Sequence, residues 1–259
     1  MGPTGASGCI LPAMSLPPIG IEGLARFSEA RDMDALKAVT AFFCGQLGFD
    51  HFIYALRMPT RLSDARLIMI DGYPPSWVAH YFAQSYYDVD PVMSYCADNV
   101  LPIEWCSLDL QAGSASARMM EDAARFGLKS GVTMPLHGPN GELGILSFGM
   151  DRADEAARTL TKRALPYVQM IAAHVHDAIK RLHGLNDAQE RPKLSKRELE
   201  CLRWVGDGKS SWEISQILNL SERTINFHIN NATLKLGAAS RQHAATKAVL
   251  QHLIRPHPF

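Results

Sequence analysis

Between residues 194 and 255 the chain spells out four short helices with marked ends, and this pattern constrains the fold more than any other feature. Ser195 with Glu198 makes a capping box ahead of Leu199, Leu202 and Val205. Gly206-Asp207-Gly208 stops that helix. Ser210 with Glu213 opens a second one, carrying Ile214, Ile217 and Leu218. Asn219-Leu220-Ser221 leaves a tight turn before a third helix over 222–236, which Gly237 ends. A fourth is expected over 240–254. Two short helices joined by a tight turn are the helix-turn-helix pattern.

Charge points to the partner. The chain is neutral overall, but residues 191–259 carry 11 Lys and Arg against 5 Asp and Glu. Residues 1–190 carry 15 against 21. A small basic module behind a larger acidic one is the footprint of a nucleic-acid reader attached to something else. On the third helix Ile225, Ile229, Ala232 and Leu236 form one apolar stripe. Arg223, Asn226, Phe227 and Asn230 lie away from it, and an Asn amide suits the N6 and N7 edge of adenine. Thr224, His228, Asn231 and Lys235 lie on the other flank, suited to phosphates, as is Lys209. The competing reading is a merely solvated face; the agreement of caps, turn and charge weighs against it.

Residues 194–249 (LSKRELECLRWVGDGKSSWEISQILNLSERTINFHINNATLKLGAASRQHAATKAV) resemble the DNA-binding domain of LuxR-type regulators. Glu198, Gly208, Lys209, Glu213, Ser221, Thr224, His228, Asn231 and Lys235 are among the matching positions. The resemblance implies double-stranded DNA as a partner, contacted by Lys209, Ser221 and the polar residues of the third helix.

The larger part has its own architecture. Residues 1–20 are rich in Gly and Pro and are expected to be a disordered extension, with Met14 an alternative start. Helical spacing runs from Ile21 to Gly48, and strands are expected at 49–58, 66–72, 130–138 and 142–150, with a further one at 100–105. Shorter helices fit 75–84, 90–98 and 114–126, and a long amphipathic one covers 156–182. Gly138-Pro139-Asn140-Gly141 signals a hairpin. The fold class is therefore α+β: an α/β/α sandwich with a mostly antiparallel sheet over 21–183, a linker over 184–193, and an all-α four-helix helix-turn-helix domain over 194–259. The stretch 49–72 has no paired acids, so a phosphorylated receiver domain is rejected.

The segment DGYPPSWVAHYFAQSYYDVDPVMSYC (71–96) is dense in aromatics with polar tips, and Asp90 before Pro91 reads as a helix cap. Alone, that reads as core packing. Yet Tyr73, Trp77, Tyr81, Asp90, Pro91, Trp105 and Gly131 follow the order and spacing of the acyl-homoserine-lactone-binding domain of quorum-sensing LuxR regulators, so the resemblance spans residues 22–254. It implies that Trp77 Nε1 donates to a lactone carbonyl and Asp90 accepts from the ligand amide. It implies that Tyr73 and Ser147 donate to the amide carbonyl, that Tyr81 and Trp105 wall the pocket, and that Gly131 permits close packing. It implies a cytoplasmic homodimer working with RNA polymerase, an acyl-homoserine lactone as ligand, and no cofactor. A pocket of this kind needs one buried acceptor, several donors and an apolar tunnel. Phe52, Tyr54, Leu56, Met69, Val89, Met134 and Phe148 are the candidates for that tunnel. An ionised buried Asp90 is expected to be uncomfortable when the pocket is empty.

Two rival functions remain. A regulator whose first domain only dimerises would gain no thermal stability from any lactone. An enzyme is disfavoured: His174 and His176 are two residues apart on a helix, 200° around its axis, and cannot share a metal. No apolar run approaches the roughly 18 residues of a membrane span, and the five scattered cysteines form no CxxC pair.

Overall fold

The computed structural model describes residues 21–61, 64–138, 141–185, 192–251 and 253–254. The proposed extension at 1–20, most of the proposed linker, and the Pro139-Asn140 tip of the hairpin lie outside them.

The larger part begins with α1 (Ile21–Glu29) and α2 (Met33–Gln46). One continuous helical pattern was expected here; Asp32 breaks it, because its carboxylate accepts from Ala35 N and caps α2. Strands β1 (His51–Arg61) and β2 (Asp64–Gly72) follow. Next come α3 (Pro75–Ala83), α4 (Pro91–Asp98), the two-residue β3 (Ile103–Glu104) and α5 (Ala115–Arg125). Strands β4 (Ser130–His137) and β5 (Leu143–Met150) and helix α6 (Glu155–Leu182) complete it. The strands order as β2-β1-β5-β4-β3, every pairing antiparallel.

Both faces of this sheet are covered. Phe52, Tyr54 and Leu56 of β1, with Leu146 and Phe148 of β5, pack with α1, α2 and α6. On the other face Ile103, Trp105 and Ile145 pack with Trp77, Val92, Met119 and Ala123 from α3, α4 and α5. The central strand β5 is buried along its whole length. Doubly covered strands read as continuous apolar runs, so their alternation is invisible in the sequence.

The smaller part is α7 (Lys196–Gly206), α8 (Ser211–Leu218), α9 (Glu222–Lys235) and α10 (Arg241–Leu250). Both expected capping boxes form, with reciprocal bonds between Ser195 and Glu198 and between Ser210 and Glu213. Asn219 closes α8 in the left-handed region at φ 52°, which Asn tolerates better than most residues. Its interior is built from Cys201, Leu202, Val205, Ile214, Ile225, Ile229 and Ala232.

Candidate functional site

A cavity of about 480 Å³ lies between the sheet and helices α3, α4 and α5. Tyr73, Trp77, Tyr81, Asp90, Trp105 and Ser147 all line it. Six residues separated by up to 74 positions in the chain thus meet at one place.

Each is held by its local structure. Trp77 and Tyr81 stand one turn apart on α3, with ring centroids 5.8 Å apart, edge to face. Trp77 is 3% exposed, flanked by Tyr86 at 6.0 Å and Phe126 at 5.6 Å. Behind it Tyr86 Oη donates to Asp122 (2.6 Å), which ties this region to α5. The Trp77 indole N–H makes no hydrogen bond among the described residues, so it is a donor left for the cavity.

Asp90 has two jobs. Its Oδ1 accepts from Val92 N (2.8 Å) and Met93 N (3.2 Å), capping α4. Its Oδ2 accepts from Tyr81 Oη at 2.9 Å. Burial pushes its carboxyl above the ordinary carboxylate range, and these hydrogen bonds pull the other way without cancelling it. The expectation of an uncomfortable acceptor in an empty pocket is therefore only half met. The carboxylate is desolvated, but its lone pairs have partners. Burial likewise raises the Tyr73 and Tyr81 phenols well beyond their usual range, so both remain protonated donors.

A residue missed in the sequence, fully buried behind the cavity wall, supports the polar end. Trp105 Nε1 donates to Thr133 Oγ1 at 2.9 Å, and Thr133 Oγ1 lies 2.7 Å from Ser147 Oγ. Ser147 also acts on the Tyr73 phenol, opposing part of the rise that burial causes. Thr133 faces Ser147 directly across the β4–β5 ladder. That pairing was implicit in the hairpin at 130–150, but fixing it needed the register. Gly131, one rung further, faces Gly149. A Cβ at Gly131 would run into the Phe148 carbonyl and come within 2.9 Å of the Trp105 ring, so close packing does require glycine there.

The expected tunnel residues need correction. Phe52, Tyr54, Leu56, Met134 and Phe148 belong to the core on the opposite face of the sheet. Ile53, Ala55 and Arg57 face the cavity instead, with Met69 from the original set. Val89 packs beside the cavity core without lining the cavity. A one-residue choice of parity exchanges the faces.

On α9, Arg223, Asn226, Phe227 and Asn230 are exposed, Phe227 at 61%. Thr224, His228 and Asn231 are half-buried on the flank. Ser221 caps the helix through Thr224 N (3.1 Å). Asn226 is less free than expected: its Oδ1 accepts from Ser211 Oγ at 2.6 Å, and Arg241 donates to the same hydroxyl at 2.9 Å. Lys209 lies 3.5 Å from Glu213. Lys235, expected as a phosphate contact, is also engaged within the fold, although its side chain stays 44% exposed. Its Nζ bonds both oxygens of buried Glu198, at 2.9 and 2.8 Å. Burial acts to raise the Glu198 carboxyl, but Lys235 and Ser195 outweigh it and hold it below its ordinary value. His174 stacks on Phe27 while His176 bonds Tyr54, so these two rings serve separate contacts.

Comparison with known proteins falls on the same two regions. The autoinducer binding domain family matches residues 32–179, and the luxR family of bacterial regulatory proteins matches 192–248. The transcriptional activator VanR of Vibrio anguillarum is 37% identical over 215 residues, covering 82% of this chain and 87% of its own. The crystal structure of Escherichia coli SdiA aligns with a TM-score of 0.68 at 29% identity, covering 90% of this chain and 96% of SdiA. SdiA in complex with octanoyl-rac-glycerol aligns at 0.71 and 30%, covering 90% and 94%.

Proposed function

Because the chain belongs to the LuxR family of bacterial transcriptional regulators with an autoinducer-binding domain, we propose that it binds an acyl-homoserine lactone in the cavity under α3 and thereby controls its binding to a two-fold-symmetric DNA site. The observation that carries this reading is the polar end of the cavity. It combines one enclosed acceptor, Asp90, with a donor that has no partner among the described residues, Trp77 Nε1, and with the hydroxyls of Tyr73 and Ser147. A lactone amide offers one N–H and carbonyl oxygens, which match that set.

The mechanism follows from the bonds already made. Asp90 accepts the ligand N–H beside its contact with Tyr81, the Trp77 indole donates to the ring carbonyl, and Tyr73 and Ser147 donate to the amide carbonyl. The ligand thus links α3, the cap of α4 and strand β5, and it stabilises the folded protein by mass action. At 100 times the dissociation constant that amounts to about 2.7 kcal/mol. Residues 21–183 form the sensing domain and 194–259 the DNA-binding domain, with 184–193 joining them. One short helix-turn-helix reads a half-site, so the active species is a homodimer. Asn226 and Asn230 read bases, with Arg223 and Phe227 on the same exposed face; Thr224, His228, Asn231, Ser221 and Lys209 hold the backbone. The chain works in the cytoplasm with RNA polymerase, through binding and not catalysis.

The test is a melting-temperature and DNA-binding titration with lactones, with octanoylglycerol as a second acyl ligand. Lactone should raise the melting temperature and the DNA occupancy together. Trp77→Phe should lose about 0.5–1.5 kcal/mol of lactone binding. Asp90→Asn should discriminate against the amide lactone more than against the glycerol ester, which has no N–H to donate. No thermal gain with any acyl ligand, alongside intact DNA binding, would leave a regulator whose first domain only dimerises.

A further inference from the structure

We propose that the cavity is a lane for a long unbranched acyl chain, open at its far end, whose preferred length is about ten to twelve carbons. This rests on the reading of the site as an acyl-lactone pocket.

Along the sheet the lane has one direction. On the sheet wall of the cavity the polar group that suits an amide carbonyl is Ser147, beside Tyr73. Beyond Ser147 toward Gly149 the space is filled: a Cβ at Gly149 would lie 2.9 Å from the Trp105 ring and 3.1 Å from Leu128. A chain leaving the polar end cannot run that way. In the other direction the next inward residue of β5 is Ile145, in register with Ala55, which pairs in turn with Met69. The rung after that is Leu143, Arg57 and Leu67. All six line the cavity. The small side chain at Ala55 leaves room along the sheet. At the far rung Leu67 is 49% exposed and Arg57 is exposed while Leu143 stays buried, so the lane reaches water on its β1–β2 side.

The strands supply a ruler. Ser147 to Leu143 is four residues, roughly 13 Å at 3.2–3.4 Å each. An extended chain advances about 1.1–1.2 Å per bond, since three backbone bonds span roughly 3.3–3.6 Å. A carbonyl held at Ser147 therefore places about the eleventh following bond at the Arg57 rung. Shorter tails leave apolar wall uncovered. Longer ones pass Arg57, whose aliphatic stem covers the chain while its guanidinium stays in water. The helix side of the cavity includes Met93, Met119 and Met120, flexible side chains that adapt to the tail's path. Length is thus sensed by where the lane ends.

The experiment is a titration of the full-length protein with unbranched acyl-homoserine lactones of four to fourteen carbons. Affinity should rise up to about fourfold per carbon, the value of one buried methylene, reaching a plateau at about ten to twelve carbons. Ala55→Phe blocks the lane one rung from Ser147 and should cut the ratio of twelve-carbon to six-carbon affinity by about tenfold or more. Leu67→Trp, at an exposed position tolerant of folding, should lower the same ratio by a smaller factor. Trp77→Phe, at the polar end, should weaken every length by a common factor. An optimum at four to six carbons in the unaltered protein, or an equal loss at all lengths in Ala55→Phe and Leu67→Trp, would overturn the lane. Binding of no lactone at any length would instead overturn the acyl-lactone reading, and the lane with it.

Discussion

The cavity and the outer face of α9 hold their polar groups in opposite states. In the cavity most groups other than the Trp77 indole already bond a neighbour: Tyr81 to Asp90, Trp105 to Thr133, Thr133 to Ser147. On α9, Arg223 and Asn230 stand in water, and Asn226 alone among the proposed base readers is tied back, to Ser211. A ligand entering the cavity joins a network that also holds the fold together. DNA arriving at α9 displaces water and counterions from groups the fold does not need. Changes in the cavity should therefore move stability and binding together, whereas changes on α9 should move binding alone.

The largest expected effect tests the first half of that contrast. Gly131→Ala forces a methyl against the Phe148 carbonyl and the Trp105 ring. Backbone cannot yield as a flexible side chain does, so a loss of about 3 kcal/mol is expected in denaturant unfolding. A loss below about 0.5 kcal/mol would show that the β4–β5 ladder relaxes freely there.

Lys235 sharpens the comparison, because it sits on α9 yet behaves like a cavity residue. Lys235→Met removes the partner of buried Glu198 and should cost about 2 kcal/mol of stability. That is less than the 3–5 of a fully buried pair, because Lys235 is partly exposed. Glu198 is held below its ordinary value, so its contribution is present above the unfolded carboxyl range. It disappears as pH falls through the folded value, and acid titration of the unaltered protein should show this. Unchanged stability in Lys235→Met would return Lys235 to the phosphate contacts.

Asn230→Ala should leave the melting temperature in place and lose about 1–2 kcal/mol of discrimination between specific and random DNA. Equal weakening on both DNAs would move Asn230 from base reading to backbone holding. Lys209→Ala should reduce the salt slope by about 0.9 without altering specificity.

The smallest effect is the most diagnostic. Asp90→Asn keeps a good helix cap and the volume of the side chain. Without ligand its stability should stay within about 1 kcal/mol of the unaltered protein at acid pH. The Asp90 carboxyl is raised in the fold, so the folded state holds its proton more tightly than the unfolded one. The unaltered protein therefore loses stability as pH rises from the ordinary carboxyl range through the raised value. The Asn variant escapes that loss, and a melting-temperature series against pH should show it overtaking.

How much was legible in the sequence differs between the same two regions. Helix ends depend on groups within a few residues, so Ser195 with Glu198, Ser210 with Glu213, and the Asn219 turn could be read directly, and the four helices followed. The hairpin strands at 130–150 and the long helix α6 were legible for the same local reason. Which side of a strand met the ligand was not. The sheet is apolar on both faces, so Phe52, Tyr54 and Leu56 looked as fit for the tunnel as Ile53 and Ala55, and only the packing of α1, α2 and α6 on one side settled the parity. Thr133 and the engagement of Lys235 with Glu198 belong to the same class. Each pairing joins residues far apart in the chain, 133 with 105 and 147, and 235 with 198. Caps and periodicity report short-range bonds; register and long-range pairing exist only once the elements have packed.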